Sequence, residues 1–250
     1  MTSRYFLEIK YDGSTYHGWQ VQPNSITVQE RINIALSTIL SENINVVGAG
    51  RTDTGVHATQ MYAHFDSSQW FDLTKIVFRL NSFLENEISI VNIYKVIKNA
   101  HARFDAISRT YSYKIHYHKN PFLINKSWMI HSKLDIDKMN EAASVLLDYS
   151  DFTSFSKLHT QTRTNNCSVS FAHWKETPDS LVFKIKADRF LRNMVRAIVG
   201  TLVDIGSHKI SIEDFINIIN SKDRNRAGLS VPAHGLYLTE ITYPKALFNE

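Results

Sequence analysis

"RTYSYKIHY", residues 109–117, alternates Tyr111, Tyr113, Ile115 and Tyr117 with Thr110, Ser112, Lys114 and His116. Side chains two positions apart share a face of a strand, so this stretch reads as a half-buried strand. It decides the fold because it restarts a pattern that the chain has already run once. "RYFLEIKY", residues 4–11, alternates in the same way and places Tyr5, Leu7, Ile9 and Tyr11 on one side. A turn-rich loop follows at 12–25. Thr27 and Glu30 then have capping-box spacing before Val28, Ile32, Ala35, Leu36 and Ile39. "NINVV" (43–47) reads as a short buried strand and "TQMYAHFD" (59–66) as another. Leu73, Ile76, Val77, Leu80 and Leu84 mark a second helix, and "EISIVNIYKVI" (87–97) a further strand.

After residue 106 the cycle repeats. A helix opens at Asp135 and carries Ile136, Met139, Ala143, Leu146 and Leu147. "SVSFAHW" (168–174) and "SLVFKIKA" (180–187) read as a hairpin. A long apolar helix is expected over 190–205, a shorter one capped by Ser211, and a closing strand in "GLYLTEITY" (235–243). The order strand, helix, strands, helix, strand, given twice, predicts an α+β protein of two halves, 1–105 and 106–250. Helices should cover one face of a mostly antiparallel sheet. With no low-complexity linker, the halves are expected to share a continuous sheet with a cleft where they meet.

The chain has 250 residues, 43% of them hydrophobic, enough for a sizeable core. No apolar run approaches the roughly 20 residues that a membrane span needs, and the start lacks an apolar signal core. Cys167 is the single cysteine, which excludes an internal disulfide and a cysteine-rich zinc site. A cytoplasmic enzyme is the expectation. Net charge is only +4, but arginines gather near aromatic residues: Arg103 and Arg109 around Phe104, and Arg189, Arg192 and Arg196 around Phe190.

"GAGRTDTGVHA", residues 48–58, contains Asp53-Thr54-Gly55, the tripeptide of aspartic proteases. A protease needs two such carboxylates, and no second copy follows. Arg51 and Thr52 also stand where a protease motif has an apolar strand. The glycines fit neither a dinucleotide loop nor a P-loop. They suit a tight turn between strands from which Asp53 projects. An isolated Asp in such a turn usually only hydrogen-bonds the turn; the surrounding residues argue for more.

The same eleven residues resemble the signature of the tRNA pseudouridine synthase A family, Gly-Arg-Thr-Asp-(Ala/Thr)-Gly-Val-His-Ala. "KYDGSTYHGWQVQPN", "TVQERI", "HARFDAISRTYSY", "DFTSF", "FLRNMVRAIVG" and "VPAHGLYL" match further family segments in order, across roughly residues 3 to 244. Thr54 replaces the commoner Ala. The resemblance implies two ferredoxin-like halves, a homodimer, no cofactor or metal, and isomerisation of uridine to pseudouridine at positions 38, 39 and 40 of the tRNA anticodon arm. It makes Asp53 the nucleophile or base, acting on the uracil ring, on C1′ or on a ribose proton. It makes Tyr111 the active-site tyrosine, stacking on the extruded uracil, and Arg196 the basic partner of Asp53. Tyr113 and Tyr117 read as sheet core.

Arg189, Arg192 and Arg196, spaced three and four apart, are expected on one helix face. Arg51 suits extrusion of the target nucleotide or a phosphate contact. His57 suits orientation of the loop or an RNA contact. Arg103, Arg109, Arg163 and Arg192, with Lys10, are candidate phosphate contacts. His64, His101, His116, His118, His131 and His159 lack ligand spacing, and Phe155 reads as core. A non-catalytic RNA-binding protein is the rival reading, but the chain has no Lys/Arg-Gly-Phe stretch of the kind RNA-recognition modules display.

Overall fold

The computed structural model describes residues 2–157, 163–178 and 180–248. The chain forms two compact units, Met1–Ile107 with Tyr237–Glu250, and Ser108–Leu236. Among the described residues, nine strands and five helices make it an α+β protein with mostly antiparallel pairing.

The first unit is built on β1 (Ser3–Tyr11), which pairs antiparallel with both β3 (His57–Ser67) and β4 (Ile88–Val96). Helix α1 (Val28–Leu40) starts where the Thr27 hydroxyl accepts the Glu30 N–H at 3.4 Å; among the described residues only this half of the capping box forms. It ends at Ser41, which is left-handed at φ 53°. Its apolar stripe buries Val28, Ile32, Ala35 and Leu36 completely, each larger side chain contributing about 1.5–3 kcal/mol by the area it removes from water. Helix α2 (Leu73–Phe83) is capped by Asp72 and buries Ile76 and Leu80. The Asn81 side chain on α2 exchanges two 2.8 Å hydrogen bonds with the backbone of Ile90, fastening helix to strand.

Two expectations are corrected in this unit. "NINVV" is not a full strand: only β2 (Val47–Gly48) pairs with β3. Polar side chains of α1 replace a neighbouring strand there. Ser37 Oγ accepts the Ile44 N–H at 3.0 Å, Asn33 Oδ1 accepts the Val46 N–H at 2.9 Å, and Gln29 donates to the Val46 carbonyl at 2.7 Å. Nor is β1 buried on one side alone. Phe6, on the face opposite Tyr5 and Leu7, is 0% exposed, because Tyr243 and Phe248 from the carboxyl-terminal segment pack edge-on against its ring at 5.2 and 6.0 Å.

The second unit holds β5 (Ser108–His116), the two-residue β6 (Trp128–Met129), α3 (Ile136–Val145), β7 (Val169–Glu176) and β8 (Leu181–Ala187). Strand β8 lies antiparallel to β5 and β7, and β6 pairs parallel with β5. Helix α4 (Met194–Gly206) is buried on nearly every side, and α5 (Ile212–Ser221) carries a complete Ser211–Asp214 capping box. Gly206 lets α4 approach α3: a Cβ there would sit 2.4 Å from the Met139 sulfur.

Helix α4 begins four residues later than the periodicity predicts. Asn193 adopts φ 67° and donates from its side chain to Ser230 Oγ at 2.5 Å, which breaks the helical run. Arg189 and Arg192 therefore precede the helix, and the expected row of three arginines on one helix face does not form. The last strand, β9 (Leu236–Thr242), runs parallel to β3, with His57 opposite Tyr237 and Ala58 opposite Leu238.

Candidate active site

The loop between β2 and β3 carries Asp53, and its neighbours are pinned from several directions. Thr52 is buried, and its hydroxyl meets the Tyr11 hydroxyl at 2.8 Å. The Thr52 carbonyl accepts the Trp19 N–H at 3.2 Å, and the Tyr16 carbonyl accepts the Gly55 N–H at 3.4 Å. Inside the loop the Val56 N–H donates to the Asp53 carbonyl at 3.1 Å, closing a turn that Gly55 completes at φ 77°. The turn residues on either side are anchored while Asp53 stays partly exposed and Arg51 and Thr54 lie at the surface. Preorganisation of this kind lets a carboxylate act without reordering its support.

Glycines make the close approach possible. A Cβ on Gly18, itself at φ 90°, would lie 2.5 Å from the Thr52 carbonyl oxygen, and one on Gly13 would lie 2.0 Å from that of Val56. The loop at 12–19 is thus a bracket fitted to the backbone of the Asp53 turn.

His57 closes the base of the loop. It is 2% exposed, and its ring stacks on Tyr237 with centroids 4.5 Å apart at 23°. Its Nδ1 accepts the Gly13 N–H at 3.1 Å and also lies 3.0 Å from an Asp12 carboxylate oxygen. One nitrogen cannot accept from Gly13 and donate to Asp12 together. The Gly13 bond has donor geometry, and that Asp12 oxygen is already served by the Ser14 N–H and hydroxyl, so the neutral ring with an accepting Nδ1 fits best.

Tyr111 and Arg196 lie on the second unit. Tyr111 stands on β5 opposite Ile185 and is half-buried, its ring edge-on to Phe190 at 5.1 Å and 89°. Two positions on, Tyr113 is fully buried and donates to the Pro232 carbonyl at 2.9 Å. Tyr113 is therefore core, as expected, while Tyr111 is only partly covered. Arg196, in the first turns of α4, donates from Nε to the Val231 carbonyl at 2.7 Å, while the Val231 N–H returns to the Arg196 carbonyl at 3.3 Å. The segment at 228–231 is pressed onto α4: a Cβ on Gly200 would meet the Leu229 carbonyl at 1.9 Å.

Among the candidate phosphate contacts, Arg109 is part-buried and donates to the Asp188 carbonyl at 2.9 Å. Lys10, Arg103, Arg163 and Arg192 are exposed. Of the histidines, His64 and His116 are buried, and His159 lies outside the described residues. Phe155 is core, as expected. Among the described residues no group of three or more His, Cys, Asp and Glu is placed to hold a metal ion, and no helix is long and apolar enough to cross a membrane. The supports at Tyr11, Asp12, Trp19, Tyr237 and Val231 were not foreseen as such. The only signal for the first three was the cluster of glycines and aromatics at 11–19.

A family model described as tRNA pseudouridine synthase matches residues 8–105 and 142–244. A protein named tRNA pseudouridine synthase A from Azobacteroides pseudotrichonymphae is 53% identical over 247 residues, covering 99% of each chain. Its namesake from Parabacteroides distasonis is 50% identical with 98% of each chain covered. That from Bacillus pumilus is 36% identical, covering 94% of this chain and 97% of its own. A family model over more than half of the chain and relatives of this identity and coverage show that the chain belongs to the tRNA pseudouridine synthase family and is, as such, an isomerase.

Proposed function

We propose that this chain converts uridine to pseudouridine at positions 38, 39 and 40 of the tRNA anticodon stem-loop, with Asp53 as the catalytic nucleophile or base. In that reaction the bond from N1 to C1′ breaks, the uracil turns, and C5 bonds to C1′; C5 loses a proton and N1 gains one. A carboxylate suits three ways of starting it: addition to the ring, attack at C1′, or removal of a ribose proton to give a glycal. The observation that carries the reading is the loop itself. Thr52 and Val56 are buried and tied down, and the acidic side chain between them remains accessible.

Tyr111 and Arg196 complete the catalytic set in this reading, Tyr111 by stacking on the everted base and Arg196 by supplying positive charge. Arg51 assists extrusion of the nucleotide, and His57 holds the loop. Arg103, Arg109, Arg163 and Arg192 bind phosphates. The enzyme is taken to act in the cytoplasm as a homodimer without a cofactor or metal. Incubation with unmodified tRNA, followed by mapping of pseudouridine, tests the reading. Product at 38–40 from wild type and none from Asp53→Asn, with tRNA binding kept, is the expected result. An active Asp53→Asn protein, or product at other positions, overturns it.

A further inference from the structure

Phe104 is 73% exposed on the first unit. A single exposed aromatic needs no explanation, but this one is held. It lies in a tight turn, "HARFD", in which His101 Nδ1 accepts the N–H of Arg103 at 3.1 Å and that of Phe104 at 3.4 Å. The Asp105 carboxylate accepts the His101 N–H at 2.7 Å, and the Asp105 N–H returns to the His101 carbonyl at 3.1 Å. The His101 ring lies against Phe104 with centroids 4.2 Å apart at 36°.

What lies beneath the turn is rigid as well. The buried His64 ring meets His101 at 4.6 Å, and its Nδ1 accepts the Ala102 N–H at 3.2 Å. The Ala102 carbonyl accepts the Tyr243 hydroxyl at 2.5 Å. Arg4 donates to the Ala100 carbonyl at 2.9 Å while it holds Asp66 through two 2.7 Å bonds. Burial, with the charge of Arg4, lowers the His101 pKa, so the ring under Phe104 is neutral near pH 7 and its nitrogen remains an acceptor. The Arg103 guanidinium sits 5.6 Å from the Phe104 ring centroid on an exposed side chain.

We infer that Phe104 is a stacking platform for an unpaired nucleobase of the tRNA, with Arg103 on the adjoining phosphate. An aromatic face fixed in orientation loses little entropy when a base stacks on it, and a cation beside it selects a ligand that couples a flat base to an anionic backbone. An apolar protein partner would leave Arg103 to be desolvated beside the ring without a counter-charge. The inference rests on the reading of the chain as a tRNA-modifying enzyme and adds a contact that lies outside the Asp53 loop.

The test measures tRNA affinity for Phe104→Ala, Phe104→Leu and Phe104→Tyr at fixed salt. It adds a photocrosslink from p-azidophenylalanine placed at position 104. Stacking by one base predicts that the Ala and Leu proteins bind about 5- to 150-fold more weakly, that Tyr stays within about twofold, and that the crosslink falls on an RNA base. Wild-type affinity in the Ala protein overturns the inference. So does full affinity in the Leu protein, which would make the contact merely apolar, or a crosslink to a second protein copy. Pseudouridine formation by wild type in the same tRNA preparation is scored separately. Its absence refutes the underlying function, whereas its presence with unaltered Phe104 variants refutes the platform alone.

Discussion

Tyr11 and Thr52 meet hydroxyl to hydroxyl at 2.8 Å, both buried, one residue before Asp53. The contact joins the end of β1 to the loop that carries the carboxylate. Thr52→Val keeps the shape and removes the oxygen, and Tyr11→Phe removes the other. Each is expected to cost about 1–2 kcal/mol of stability, since a polar atom fitted to the contact loses a partner. Each should also lower kcat more than it raises KM, because the loop is displaced while RNA contacts elsewhere persist. The double variant should cost little more than either single one. Strictly additive losses in denaturant melts would show that the two hydroxyls do not act together.

Gly18 and Gly50 flank the same turn under opposite constraints. Gly18 is left-handed at φ 90°, and a Cβ there would lie 2.5 Å from the Thr52 carbonyl; a Cβ on Gly50 would meet nothing within 4 Å. Gly18→Ala is therefore expected to lose about 2 kcal/mol or more of stability and most turnover, through backbone strain and displacement of Thr52. Gly50→Ala should leave the melting temperature within about 1 °C of wild type. If the two variants melt alike, the bracket at 12–19 does not set the position of the turn.

The longer regular elements were readable in the sequence because each carries its own local mark. Alternation gave β1 and β5, the apolar runs at 168–174 and 180–187 gave the hairpin of β7 and β8, and the caps at Thr27, Asp135 and Ser211 gave the helix starts. The start of α4 was not readable. Leu191 and Val195 continue an apolar period through Asn193, and the bond that holds Asn193 left-handed comes from Ser230, far along the chain. The backbone at 44–46 misled for a related reason: side chains of α1 supply its hydrogen bonds, so an apolar run there needs no full strand partner. At the site, the glycine-rich turn and Asp53 stood out, whereas Tyr237 under His57 did not. A stacking contact formed by parallel pairing of β3 and β9 leaves no local trace.

His64 makes stability depend on pH. Burial, with smaller contributions from His101 and Arg4, pushes its pKa down from 6.5 to about 4. The unfolded chain takes up the proton near 6.5 and the folded one only near 4, so the unfolded state binds more protons between those values. The contribution is fully present above about pH 6.5 and is lost as pH falls toward 4, amounting to roughly 3 kcal/mol across the window. His64→Asn removes the titration and keeps a carbonyl oxygen for the Ala102 N–H. Its stability should fall less steeply than that of wild type over the same range in urea melts. Parallel curves for the two proteins would rule out His64 as the source.

Arg196 has a structural task as well as its proposed catalytic one. Its Nε–H donates to the Val231 carbonyl at 2.7 Å, and this bond helps hold the segment that Gly200 admits against α4. Lysine preserves the charge and loses that donor, whose place in the planar fork an ammonium does not reproduce. Arg196→Lys should therefore speed amide hydrogen exchange at 229–231 and lower kcat by about 100-fold or more, with tRNA affinity changed by less than about threefold. Arg196→Gln retains a planar amide donor but no charge. It should slow exchange relative to Lys while remaining as inactive, which separates the positioning bond from the charge. Near wild-type turnover in the Gln protein would remove the positive charge at 196 from the mechanism.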